Sequence, residues 1–202
     1  MVKLLCVSDT VMPQMESATN LRRRYHDVDL VVSCGDMPPV YLEFITSVLN
    51  VPLFYVRGNH DERYDTEPPG GIDLHGKVIQ FHGLTFAGLE GSIQYNNGDI
   101  QYTEFQMSRM VLGMAPKFAL KKMSGGIDVL VTHSPAKGIH DAPDPPHTGF
   151  KALLRLMRWF RPRYMLHGHV HTYDRRSTTR TTYYDTCIIN INPITVLEIE
   201  PG

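Results

Sequence analysis

Cysteine is scarce in this chain: three residues, Cys6, Cys34 and Cys187, among 202. An odd number, widely spaced and set in apolar runs, excludes a disulfide framework and a zinc ribbon, and leaves small buried side chains as the reading. Net charge is missing too. Twenty Lys and Arg offset twenty-one Asp and Glu, a formal charge of −1, so no global field attracts nucleic acid or an anionic membrane. Any anion site must be local. No apolar run approaches the roughly 20 residues that span a bilayer. Residues 1–7 are too short for a signal peptide and lead straight into polar residues. The expected compartment is the cytoplasm, with no membrane partner. The sequence also lacks internal repeats and low-complexity segments.

What is present suits one globular domain over residues 1–202, with 42% hydrophobic and 20% charged residues. Short β-branched runs alternate with helix-like segments, the pattern of a layered α/β protein. Strands are expected at 2–7, 30–32, 53–56, 127–131 and 163–166, with a hairpin over 77–89 turning at His82-Gly83. Helices are expected at 17–25, capped by Ser17, at 41–49 and at 150–160. The stretch 103–122 reads as a helix interrupted near Gly113 and Pro116. Residues 62–72 and 137–148 read as loops, and 179–184, 186–191 and 195–199 as three consecutive antiparallel strands.

Five of these strands end in a short polar turn: Asp9, Asp36, Asn59-His60, His133, and His169 with His171. Open α/β sheets bind ligands at the carboxyl ends of their strands, so these turns can converge. Carboxylate, amide and imidazole donors without thiolates suit a binuclear centre of manganese, iron, zinc or magnesium. His169 and His171, two apart in an extended segment, would leave the same face. Singly, each residue has a duller reading as a cap or turn former. His167 reads equally well as a hydrogen-bonded buried histidine, and His140 and His147 as solvated loop residues. Arg22-Arg23-Arg24 and Arg155, Arg158, Arg161 and Arg163 read as solvated helix faces, since no interleaved aromatics accompany them; nucleic acid is not the favoured partner. Arg175 and Arg176, just beyond His171, are better placed for a substrate anion.

In sequence order, Asp9, Gly35-Asp36, Gly58-Asn59-His60-Asp61, His133 and Gly168-His169-Val170-His171 resemble the motifs of the calcineurin-like metallophosphoesterase superfamily. The resemblance implies an α/β fold, a four-layer α-β-β-α sandwich of two mixed sheets flanked by helices. It implies hydrolysis of a small phosphodiester or phosphomonoester by a metal-bound hydroxide. It puts Asp9 and His171 on one divalent ion, Asn59, His133 and His169 on the other, and Asp36 between them, with Mn2+ the expected metal. His60 would assist the leaving group and Asp61 would orient the His60 ring.

The chain departs from the pattern in its first motif, which in the family is Asp-x-His and here is Asp9-Thr10-Val11. Valine cannot ligate a metal, so weaker occupancy of the first site is expected. The competing reading is a catalytically weakened metal- or nucleotide-binding protein that acts through a partner.

Overall fold

The computed structural model describes residues 1–123, 125–171 and 178–202. In chain order the elements are β1 (Val2–Val7), α1 (Ala18–Tyr25), β2 (Leu30–Ser33), α2 (Pro39–Leu49), β3 (Leu53–Tyr55), β4 (Ile72–Asp73), β5 (Val78–Phe81) and β6 (Leu84–Leu89). Then follow β7 (Ser92–Ile93), β8 (Gln101–Tyr102), α3 (Glu104–Lys122), β9 (Val129–Thr132), α4 (Lys151–Phe160), β10 (Tyr164–His167), β11 (Arg180–Tyr183), β12 (Thr186–Asn190) and β13 (Ile194–Ile199). One sheet has the order β13-β1-β2-β3-β4 and the other β11-β12-β10-β9-β6-β5; β7 and β8 form a small separate pair.

Side-chain alternation along the strands builds the layers. Leu4 and Cys6 of β1, Val32 of β2 and Phe54 of β3 share one buried cluster with Phe86 of β6, Val131 of β9, Leu166 of β10 and Ile189 of β12. Their neighbours Leu5, Val7, Val31 and Tyr55 turn the other way, onto Leu21 of α1 and Leu42 and Ile45 of α2. On the second sheet Leu130, Met165 and Ile188 turn outward onto Val111, Met114 and Phe118 of α3 and Leu153 and Leu156 of α4. The fold is therefore a four-layer α-β-β-α sandwich, with both sheets mixed. The rings of Phe54 and Phe86 meet edge to face at 5.4 Å between the sheets. Removing the Phe86 side chain would cost about 3–5 kcal/mol.

The local signals act as expected in most places. Ser17 accepts the amide of Asn20 at the start of α1. His82 and Gly83 both have positive φ, 46° and 84°, which suits the two-residue turn joining β5 and β6. Residues 62–72 are less irregular than expected, containing a 3-10 turn at Glu62–Asp65 and β4.

Two expectations are corrected. Helix α3 is continuous through Gly113 and Pro116. Its capping box at Thr103 and Gln106 and its buried face of Met107, Val111, Met114 and Phe118 outweigh the local cost of a proline, about 3 kcal/mol in a helix interior. The last three strands do not form one antiparallel run. β11 and β12 pair antiparallel, but β12 runs parallel to β10, and β13 crosses to the other sheet to pair antiparallel with β1, Leu4 opposite Leu197. No helix among the described residues is long and apolar enough to cross a membrane.

Candidate metal centre

The turns after β1, β2 and β3 belong to one sheet and those after β9 and β10 to the other, and all leave their strands at the same end of the sandwich. Three site residues adopt left-handed backbone to do so: Asp9 at φ 63°, Asp36 at 56° and His169 at 68°. This conformation is costly for residues with a Cβ, less so for Asp and His, and it concentrates at functional turns. Glycines make room beside them. A Cβ on Gly58 would collide with the Asp36 carboxylate, and one on Gly168 with Ser8 Oγ and the Asp9 carboxylate.

The inner set is bound together from both sheets. His133 is fully buried; its Nδ1 lies 2.8 Å from the Cys34 carbonyl, which directs Nε2 toward Asn59 Oδ1 at 3.0 Å and Asp36 Oδ2 at 3.4 Å. Asn59 donates its amide N–H to the Tyr95 hydroxyl, which aims Oδ1 inward. His169 donates from Nε2 to the Pro146 carbonyl at 2.6 Å, which leaves Nδ1 as the ring's acceptor. Ligand atoms of Asp36, His133 and His169 all lie within 4.8 Å of one another. Oδ1 of Asn59, Oδ2 of Asp36 and Nε2 of His133 are acceptors that face one another, and such a cluster fits a cation.

Electrostatics follow from burial and these carboxylates. Burial works against charging His133, yet Asp36, Asp9 and the Cys34 carbonyl hold its pKa above the ordinary value. Burial pushes His169 down to about 3, with His133 adding to the effect. A neutral imidazole is the form that ligates.

The remaining expected residues are arranged as follows. Asp9 accepts the His169 amide on both carboxylate oxygens at 3.0 Å. His60 is exposed, with its amide on Asp36 Oδ1 at 2.9 Å. Asp61 is buried, and its Oδ2 accepts the amides of Asp36 and Gly58, both at 2.7 Å. Its hydrogen bonds therefore brace two turns. Burial raises its pKa to about 6.

The premise that His169 and His171 share a face fails, because His169 is left-handed and the segment is bent; His169 is buried and His171 exposed. Asp9 is left-handed too, so the first motif is not extended. Val11 is 37% exposed and lines a surface groove with Pro38, Val40, Tyr41 and Phe44.

Of the other histidines, His167 is buried with Nδ1 on the Gly168 carbonyl and Nε2 against His140, a structural pair. His140 is partly exposed and also contacts Thr181. The His147 ring lies 5.2 Å from that of His169. Arg155, Arg161 and Arg163 are engaged by Glu104, Asp185 and Asp128. Arg175 and Arg176 lie outside the described residues. Tyr95 and the carbonyls of Cys34 and Pro146 shape the centre without any sequence signature.

Residues 2–173 match the family model of the calcineurin-like phosphoesterases. The chain belongs to that family. The family is one of binuclear metal-dependent phosphoesterases, and Asp36, His133 and His169 form a candidate metal site in this chain. No curated protein matches the chain by sequence. Among solved structures, the TT1561 protein of Thermus thermophilus superposes with a TM-score of 0.63 at 12% identity, over 95% of this chain and 89% of that one. An archaeal phosphodiesterase gives 0.47 at 19% identity, over 98% and 93%, and Vps29 of Chaetomium thermophilum 0.47 at 13%, over 99% and 83%.

Proposed function

We propose that the chain hydrolyses a small phosphodiester with two divalent cations, manganese being the expected ion, and does so in the cytoplasm. The observation that carries this reading is the meeting of Asn59, Asp36, His133 and His169 from two sheets beneath an exposed His60. Asn59, His133 and His169 would hold the inner ion, Asp36 would be shared, and Asp9 with His171 would hold the outer one. Bound cations would polarise the phosphoryl group and acidify a water.

The chain's own residues do the rest. His60, fixed through its amide to Asp36, gives a proton to the departing oxygen. Asp61 ties the Asp36 turn to the Gly58 turn and so aims the shared carboxylate; we assign it that positioning role in place of the His60 ring. Two cavities meet at His60, one of about 350 Å3 reaching Tyr95 and one of about 210 Å3 reaching Arg63 and Tyr64. Space on both sides suits the two ester arms of a diester better than a monoester.

The test is metal content followed by turnover of an aryl phosphodiester and an aryl phosphomonoester with manganese. His60→Ala should lower kcat about 10²–10⁴-fold while metal binding persists. Asp36→Ala should abolish both. Turnover insensitive to Asp36→Ala would overturn the reading. Val11, in place of the family's imidazole, favours the second reading, a weakened metal- or nucleotide-binding protein acting through a partner; metal binding with no turnover of either ester would select it.

A further inference from the structure

The larger cavity beside His60 has a composition of its own. Asn59 and His60 form the wall it shares with the metal centre, and the rest is Glu62, Tyr95, Asn96, Asn97, Gln101 and the backbone of Gly98. Among the described residues its lining contains neither lysine nor arginine. Internal bonds decide what each group has left to offer. Gln101 Oε1 accepts the amides of Tyr95 and Asn96, both at 3.2 Å, which leaves its N–H2 for another partner. Asn96 Oδ1 accepts the Gly98 amide at 3.0 Å, which leaves its N–H2 likewise. The Tyr95 oxygen accepts from Asn59, so the tyrosine proton remains to be given. Asn97 supplies both a donor and an acceptor, and the Glu62 carboxylate is a strong acceptor.

Three ligand classes can be compared against this inventory. A second phosphate would find no cation among the described lining residues and would face Glu62. An aryl or alkyl arm would desolvate several amides without replacing their hydrogen bonds, a cost of about 1–3 kcal/mol for each buried group. Hydroxyl groups both donate and accept, so adjacent hydroxyls can accept from Gln101, Asn96 and Tyr95 while donating to Glu62.

We infer that this cavity binds a neutral, hydroxyl-rich arm of the substrate, a sugar or polyol, with Glu62 as the residue that selects it. The inference rests on the phosphoesterase reading for what lies next to the cavity, but its recognition chemistry stands on Glu62 and the amides. Because Tyr95 also holds the metal ligand Asn59, a correctly seated arm and the geometry of the centre are linked through one hydroxyl.

The experiment compares kcat/KM for bis(4-nitrophenyl) phosphate and for glyceryl 4-nitrophenyl phosphate, in wild type, Glu62→Gln and Asn97→Ala. Wild type should prefer the glyceryl diester by about tenfold or more, the scale of a few added hydrogen bonds. Both substitutions should bring the ratio close to one, mainly through KM. A wild-type ratio near one, or one that neither substitution moves, overturns the inference while leaving the phosphoesterase reading intact. Calorimetry with glycerol 3-phosphate against methyl phosphate on the manganese-loaded protein separates the two ideas. Tighter glycerol 3-phosphate binding that Glu62→Gln removes supports the cavity even if neither diester is turned over, whereas equal binding overturns it.

Discussion

Nε2 of His133 lies 3.0 Å from Oδ1 of Asn59, although Nδ1 of the same ring is already engaged by the Cys34 carbonyl. With Nδ1 donating, Nε2 and Oδ1 are two acceptors in contact, and only a proton or a cation between them makes the contact favourable. The raised pKa of His133 shows the site's appetite for positive charge.

Manganese should therefore stabilise the metal-free protein. Saturation at 100 times the dissociation constant adds about 2.7 kcal/mol. For a chain of this size that is about 5–10 °C in thermal midpoint, readable by differential scanning fluorimetry. His133→Gln should remove the shift, since it removes the proposed buried ligand while keeping similar bulk.

The glycine contacts at the centre predict a loss of activity larger than the loss of stability. Gly168→Ala forces its Cβ into Ser8 Oγ and the Asp9 carboxylate, and Gly58→Ala does the same to Asp36. Displacing a ligand by about 1 Å should reduce kcat/KM about 100-fold. Steady-state kinetics beside a melting curve checks this; a parallel collapse of both would mean the glycines serve folding alone.

A third expectation concerns pH. Arg57 directly precedes the Gly58-Asn59 turn, and Glu90 follows β6 on the other sheet; Nε of Arg57 lies 2.7 Å and Nη2 3.2 Å from the Glu90 carboxylate. Burial pushes the Glu90 carboxyl up, but Arg57, His75 and Tyr102 hold it below its ordinary value of 4.5. A depressed carboxyl stabilises the fold above the unfolded value, and that contribution is lost as pH falls through the folded one. Glu90→Gln should thus destabilise the fold at neutral pH by removing the charged partner of Arg57, and the part of that difference due to ionisation should be lost as pH falls from 4.5 through the lower folded value. Urea denaturation at pH 7 and pH 3.5 makes the comparison.

Val11 offers a gain-of-ligand test. Being exposed, it can be replaced by histidine at a cost within about 0.5 kcal/mol. Val11→His should raise bound manganese from nearer one toward two ions per chain, measured by elemental analysis after gel filtration. An unchanged ratio would mean that the backbone turn at Asp9 holds position 11 away from the centre.

Much of this was legible in the sequence because strand-ending turns carry side chains of distinctive chemistry. β1, β2, β3, β9 and β10 announce themselves by short apolar runs, and Asp36, Asn59, His133 and His169 follow within four residues of β2, β3, β9 and β10. Sheet membership was not legible: periodicity tells which face of β13 is apolar, not that its partner is β1. Nor was backbone sign, and the positive φ of His169 undid the inference from alternation that paired it with His171. Tyr95 stayed hidden because a loop hydroxyl acting on an amide has no spacing to recognise. The continuity of α3 shows tertiary packing overruling a single residue's preference.

The centre draws three turns from one sheet and two from the other, so it exists only while both halves keep their alignment. It is a gauge of that alignment as much as a place of chemistry. Mild heat or denaturant that lets one half slide by a fraction of an ångström will silence it while circular dichroism still reports full helix content. A subtle change far away, such as Phe86→Leu between the sheets, will register there first.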